Sequence, residues 1–162
     1  MKLYVMRHGQ ASFTASSDKL RELTDQGREE SSIMARWLAI KESIFSVTFA
    51  SPYTRAQQTY DCVIENFTMP VHHYCLEELT PESSPSKCGE TLLAYCALHE
   101  AENALVVSHL PLVDLLVSDL CKGDVVASFS TSSIACMDID LENWKGSLLW
   151  HRTFNDVLMG AT

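Results

Sequence analysis

Positive charge is scarce in this chain: 12 Lys and Arg stand against 21 Asp and Glu, giving a formal net charge of −9 at pH 7 over 162 residues. Nucleic acid and anionic membranes are gripped by the summed field of many cations, so neither is expected as a partner. One phosphoryl group is a different matter, because it needs only a few aimed cations. Long apolar runs are also missing. The stretch between Lys2 and Arg7 is too short for a signal-peptide core, and no run approaches the ~20 residues of a membrane-spanning helix, so a cytoplasmic location is expected. No C-x-x-C pair occurs among Cys62, Cys75, Cys88, Cys96, Cys121 and Cys136. Their scatter suits reduced, mostly buried thiols better than a disulfide framework. Repeats, linkers and low-complexity tracts are absent too. With 46% hydrophobic and 20% charged residues, the chain reads as one globular domain over residues 1–162, long enough to bury a core.

What is present is an alternation of strand and helix patterns. Apolar runs predict strands at 2–6, 47–50, 71–74 and 104–108, and alternation predicts a terminal hairpin at 132–139 and 146–154. A loop is expected at 10–19. Thr24 is placed to cap a helix that carries Ile33, Met34, Trp37 and Leu38 to about residue 40 or 41. Ser51-Pro52 is read as opening a second helix, with the proline in its first turn and Arg55 close behind. Further helices are expected at 89–98 and 110–120, the latter ended by Lys122-Gly123, with an irregular acidic connection at 76–85. The pattern predicts an α/β fold: a three-layer α/β/α sandwich around a mostly parallel sheet with a C-terminal antiparallel hairpin.

In such a sheet, ligands bind beyond the carboxyl ends of the strands. Arg7-His8-Gly9 follows the first strand and His109 follows the fourth, while Arg55 and the segment around Glu78 follow the second and third. Four strand ends thus bring their polar groups to one edge. A transferring phosphoryl group carries its charge on three equatorial oxygens, and Arg7 and Arg55 can offer them permanently charged forks. His109, if protonated, would add a third cation, and the backbone N–H groups from Leu110 onward would present a helix N-terminus to the anion. His8 is left as the nucleophile, provided its other ring nitrogen is held as a donor, for which a carbonyl in the Gly9 turn is suited.

The blocks Val5-Met6-Arg7-His8-Gly9, Arg21-Glu22-Leu23-Thr24-Asp25-Gln26-Gly27, Ala50-Ser51-Pro52-Tyr53-Thr54-Arg55-Ala56-Gln57-Gln58-Thr59 and Val106-Val107-Ser108-His109-Leu110-Pro111-Leu112-Val113 follow one another in family order. Through them the chain resembles the histidine phosphatase superfamily and, within it, the short phosphohistidine phosphatases of the SixA type. The resemblance implies a phosphoglycerate-mutase-like fold, His8 as nucleophile, phosphate held by Arg7, Arg55 and His109, and Arg21 at the pocket rim. It also matches Leu76-Glu77-Glu78 to the family's L-x-E pattern, which makes Glu78 the candidate general acid. With charge supplied by arginine and histidine, no metal or other cofactor is expected. The implied partner is a phosphorylated histidine-containing phosphotransfer domain of a sensor kinase in a bacterial two-component relay, met by a monomer.

Two other functions remain open on these residues. A phosphomonoesterase or mutase for small metabolites would need Glu78 to protonate an alkoxide and a roof over the pocket, for which 79–88 is short. A non-catalytic phosphate-binding module would keep the arginines without needing His8. Phosphohistidine itself leaves as neutral imidazole, of reference pKa about 6.5, and asks little of an acid. His72-His73-x-Cys75 lacks a second ligand pair, and strand alternation sends its two histidines to opposite faces. His99 and His151 are expected at the surface, and Met34 and Trp37 in the core.

Overall fold

The first apolar run becomes β1 (Lys2–Arg7), and its side chains divide between two cores, Leu3 and Val5 on one side of the sheet, Tyr4 and Met6 on the other. A strand buried on both faces has no polar alternation to show, which is why its sequence reads as an unbroken apolar stretch. The computed structural model describes residues 1–70, 72–123, 125 and 127–160. β4 (Asn103–Ser108) pairs parallel to β1 with Arg7 opposite Ser108. Beyond β4 lie β2 (Val47–Ala50) and then β3 (His72–Cys75), both parallel. On the other side of β1, β5 (Ile134–Asp140) and β6 (Lys145–Arg152) form the antiparallel hairpin, so the strand order is β3-β2-β4-β1-β5-β6.

Helices cover both faces. α1 (Asp25–Ala39) and α2 (Thr54–Ile64) bury Met34, Leu38, Ala56 and Val63 against the Tyr4 and Met6 face. α3 (Pro85–Leu98) and α4 (Leu112–Leu120) bury Leu92, Cys96, Leu116 and Val117 against the Leu3 and Val5 face. The result is the expected three-layer α/β/α arrangement. Thr24 caps α1 by accepting from the Gly27 N–H, and Gly123, at φ +82°, closes the end of α4 by donating to the Ser118 carbonyl at 2.8 Å. Both follow the sequence reading.

Several boundaries differ from it. Ser51 still extends the sheet, its N–H donating to the Val107 carbonyl at 3.1 Å, so α2 begins only at Thr54, with Tyr53 as its cap. α4 likewise starts at Leu112 behind Pro111, and α3 starts early, at Pro85 behind the cap Ser84. The last strand stops at Arg152. Thr153 and Asp156 form a reciprocal capping box that turns the chain into the short α5 (Phe154–Leu158). Val71, expected to begin the third strand, lies outside the described residues; the strand runs His72–Cys75.

The two histidines expected at the surface are half-buried. His99 stacks on His72 at 3.8 Å and bonds the Tyr74 hydroxyl at 2.7 Å, and His151 packs edge-on against Phe129. His73 turns the opposite way from His72, stacking on Tyr60 and bonding Thr48 at 2.9 Å. Cys88, Cys96, Cys121 and Cys136 are buried, Cys62 is half-buried and Cys75 is exposed. No helix among the described residues is long and apolar enough to cross a membrane.

The turn after β1 is seated on α1 through two glycines. A Cβ on Gly9 would lie 2.6 Å from the Gly27 carbonyl oxygen and from Ser31 Oγ, and one on Gly27 would collide with the Gln10 carbonyl. The Gly9 N–H donates to Thr59 Oγ1 of α2 at 2.9 Å, and that hydroxyl donates to the Arg55 carbonyl at 2.7 Å. Gly→Ala in an open helix gains about 1 kcal/mol. Here Gly27→Ala is expected to lose about 1–3 kcal/mol, because the added methyl displaces backbone rather than a side chain. Urea unfolding measures the difference, and a stabilised variant would show that the two backbones can part without cost.

Candidate active site

The in-register ends of β1 and β4 set His8 and His109 side by side, ring centroids 5.0 Å apart. His8 Nδ1 lies 2.7 Å from the Gly9 carbonyl, which can only accept, so this nitrogen carries the hydrogen. Its Nε2 accepts from Arg55 Nε at 3.2 Å. The imidazole is therefore held as the neutral Nδ1–H tautomer with the Nε2 lone pair turned toward the arginine. The carbonyl anticipated in the Gly9 turn is the one that does this.

Arg55 enters from the first turn of α2 and is only 4% exposed. Its end fork is anchored by one residue: Nη1 donates to the Asp18 carbonyl at 2.7 Å and Nη2 to the Asp18 carboxylate at 3.2 Å. The side fork that contains Nε faces His8. Arg21 donates to the other Asp18 carboxylate oxygen at 3.1 Å and to the Ser12 carbonyl at 2.8 Å, so Asp18 joins the two guanidinium groups. Arg7, half-buried at the end of β1, donates from Nη1 to the Phe129 carbonyl at 2.9 Å, and the Phe129 N–H is itself held by Asp114 at 3.1 Å. Arg7 Nε and His109 Nδ1 are buried with no hydrogen-bond partner among the described residues. An unmatched arginine nitrogen and an unmatched nitrogen on the imidazole beside His8 are suited to a small oxyanion. The Leu110 amide follows His109 directly, ahead of α4.

Electrostatics bear on whether His109 carries charge. Burial, followed by the neighbouring charges of Arg55, Arg7 and Arg21, lowers the His8 pKa to about 3, against the opposing pull of the Gly9 carbonyl. Burial and then His8 and the two arginines lower that of His109 as well. In the protein alone His109 is therefore a neutral imidazole and not a third cation. Asp18 behaves oppositely. Partial burial works against its charge, but hydrogen bonds and charge from Arg21 and Arg55 outweigh this and hold its pKa below the ordinary aspartate value.

The sequence-predicted residues Arg7, His8, Arg55 and His109 thus meet, and Arg21 reaches the group through Asp18. Glu78 does not join them. It is exposed in the 3-10 turn Glu77–Leu79, and no hydrogen bond or ion pair ties it to these side chains. Asp18, Phe129 and Ser51 were missed. Asp18 lies 37 residues from Arg55 in a polar loop without periodicity, and Phe129 is 122 residues from Arg7. Ser51, within hydrogen-bond reach of His109, did stand inside a recognised motif block. Among the described residues, no three His, Cys, Asp or Glu side chains are grouped to hold a metal ion.

With that geometry in hand, comparison places the chain. The histidine phosphatase superfamily (branch 1) pattern matches residues 3–80. The chain is 38% identical over 155 residues to the phosphohistidine phosphatase SixA of Escherichia coli (strain K12), covering 93% of this chain and 92% of that protein. It is 29% identical over 167 residues to the SixA homolog of Haemophilus influenzae, covering 98% and 94%. A solved structure of the protein histidine phosphatase SixA complexed with tungstate matches with a TM-score of 0.91 at 36% identity, over 97% of this chain and 99% of that one. Likeness sustained over nearly the whole length, with the two imidazoles and their arginines converging at the strand ends, has one source: the chain belongs to the histidine phosphatase superfamily and is a SixA-like enzyme within it.

Proposed function

We propose that this chain is a metal-independent protein phosphohistidine phosphatase that works through a phosphorylated His8. Its substrate is the phosphohistidine of a histidine-containing phosphotransfer domain in a bacterial two-component relay, and it acts as a cytoplasmic monomer, a single domain over residues 1–162. The observation that carries the reading is the clamped His8: Nδ1–H on the Gly9 carbonyl leaves Nε2 as a lone pair in line with Arg55. A module that only bound phosphate would have no need for a fixed nucleophilic tautomer. The likeness to SixA supports the phosphohistidine substrate. So does the short connection between β3 and α3, whose one element is the 3-10 turn Glu77–Leu79, too small to roof the pocket against a protein-borne group.

The steps follow from the atoms. The phosphoryl group enters with its oxygens toward Arg7, the side fork of Arg55, His109 and the Leu110 amide. Arg55 Nε–H turns from His8 Nε2 to an oxygen and frees the lone pair. A bond forms from Nε2 to phosphorus while the bond from phosphorus to the substrate imidazole breaks, and that imidazole departs neutral, its far nitrogen already protonated. Water then attacks phosphorus, the Nε2–P bond breaks, inorganic phosphate leaves and His8 is restored. The guanidinium groups stabilise charge on the equatorial oxygens throughout, work a metal does elsewhere. Tungstate, a tetrahedral oxyanion, should occupy the same oxygen positions.

His8→Ala is expected to abolish both turnover and a phosphoenzyme label that is lost in acid and kept in alkali; wild-type turnover by this variant would remove His8 from the mechanism. A second outcome concerns pH. An imidazole whose pKa is lowered stays neutral as pH falls through the ordinary value, so the nucleophile should remain available well below pH 6.5. Nitrogen-15 NMR should show no titration of His8 or His109 between pH 8 and 5, whereas a midpoint near 6.5 for His8 would contradict the clamped neutral form. The third outcome separates phosphohistidine from ester substrates. Glu78→Gln should leave kcat on a phosphorylated phosphotransfer domain within about twofold, since a true general acid is worth about 10²- to 10⁴-fold. A loss of that size on the phosphohistidine protein, or a wild-type preference for small esters, would favour a metabolite phosphatase.

A further inference from the structure

Ser51 sits at the carboxyl end of β2, fully buried, with its Oγ 2.7 Å from His109 Nε2. The same oxygen accepts the Tyr53 N–H at 3.3 Å. The backbone around it is spoken for: the Ser51 N–H donates to the Val107 carbonyl at 3.1 Å, and the Ser51 carbonyl accepts from Gln57 Nε2 at 2.7 Å. That leaves the hydroxyl hydrogen with one acceptor among the described residues, His109 Nε2. The opposite assignment, with Nε2–H donating to Oγ, strands that hydrogen in a dry site and turns a bare Nδ1 lone pair on the other side of the ring. The first assignment leaves one buried group unmatched, the Nδ1–H, and the opposite one leaves two, the hydroxyl hydrogen and the Nδ1 lone pair; each such group costs about 1–3 kcal/mol, so the first assignment prevails.

We propose that Ser51 is a positioning residue that fixes His109 as the neutral Nδ1–H tautomer and thereby makes it a hydrogen-bond donor to a bound phosphoryl oxygen. His109 Nδ1 is the buried atom that has no partner among the described residues, on a ring beside His8 and edge-on to Tyr53 at 5.1 Å. The second histidine therefore contributes without being charged. The pocket keeps a donor at that point while avoiding a third positive charge beside Arg7 and Arg55. The two imidazoles are set by the same device from opposite partners: a carbonyl takes the hydrogen of His8 Nδ1 and leaves Nε2 as a lone pair, and a hydroxyl fills His109 Nε2 and leaves Nδ1 as a donor. Nucleophile and oxyanion donor thus come from one residue type in one protonation state. The donor's use rests on the reading of this pocket as a phosphoryl site; the tautomer itself does not.

Nitrogen-15 NMR of the unliganded wild-type protein reads the tautomer directly. Nδ1 of His109 should show the protonated shift and Nε2 the unprotonated one, and the reverse pattern would overturn the proposal outright. Ser51→Ala should lose that preference and weaken tungstate binding by about tenfold to a hundredfold, the scale of one hydrogen bond to a charged group. An alanine variant that kept both tautomer and affinity would refute the role of Ser51. A second pair of variants keeps the question open to test if Ser51→Ala folds badly. The amide nitrogen of asparagine overlays the Nδ1 position and that of glutamine the Nε2 position, so His109→Asn should bind tungstate at least fivefold tighter than His109→Gln; equal or inverted affinities would count against Nδ1 as the donor. Wild-type protein that has the Nδ1–H tautomer but binds no tungstate would retire the phosphoryl reading while leaving the Ser51 assignment standing.

Discussion

Because Arg7 and Ser108 are partners in the parallel β1–β4 ladder, the two strands end level and the residues that follow leave the sheet together. His8 continues the ladder by one bond, its N–H to the Ser108 carbonyl at 2.9 Å, and Ser51 does the same from β2 to Val107. Three strand ends are thereby laced at one height, and His8, the neighbouring imidazole of His109 and the Ser51 hydroxyl behind that imidazole all take their places from the lacing. Side chains alternate along a strand, so a slip of one residue in β1 would exchange the Leu3 and Val5 face with the Tyr4 and Met6 face and could not survive two packed cores. The chemistry inherits its precision from that packing. The α1 contact through Gly9 and Gly27 adds the last constraint by holding the turn down where a side chain would lift it.

Crowding two arginines and two imidazoles at the end of a sheet raises an electrostatic problem in a chain whose net charge is −9. The bulk charge is no help at this range, since buried groups feel their immediate neighbours first. The pocket reduces its own repulsion in two ways. Both imidazoles are held toward the neutral form, and among the described residues the one carboxylate that touches these guanidinium groups, Asp18, links Arg55 to Arg21 while engaging the end fork of Arg55. That choice of fork matters. A carboxylate on the side fork would compete with a phosphoryl group, whereas one on the end fork steadies the guanidinium plane and leaves Nε facing His8.

The parts legible in the sequence were those written in short-range pattern. β1, β2 and β4 announced themselves because fully buried strands are apolar throughout, and Thr24 and Gly123 because caps need particular side chains or a positive φ. Once those strands are known, the rule that ligands lie at carboxyl ends gathers His8, Arg55 and His109 without any contact being seen. What escaped was set by tertiary competition. Pro52 looked like a helix start, but the Ser51 hydrogen bond to β4 held the chain extended for longer. The strand expected to reach 154 was cut by a capping box whose second half, Asp156, lies beyond it. Asp18 and Phe129 carry no local signal, because their roles exist only after loops distant in sequence have been brought to Arg55 and Arg7.

The inventory of protons in the pocket bears on its substrate. An alkoxide leaving group must be given a proton, so an ester hydrolase keeps a protonated acid beside the bond that breaks. Here Asp18 is held below the ordinary aspartate range by Arg21 and Arg55, its two carboxylate oxygens are engaged, and it stands on the arginine side of His8. An ionised carboxylate has no proton to donate. Both histidines are neutral, and their single hydrogens are committed, one to the Gly9 carbonyl and the other, on the Ser51 argument, to holding a phosphoryl oxygen. The guanidinium groups give up no proton near neutral pH. These residues are rich in fixed donors and charge, and an acid for a poor leaving group would have to come from outside them, as from Glu78 in the 3-10 turn. A leaving group already stable when it departs, as neutral imidazole is, asks for that combination and nothing more.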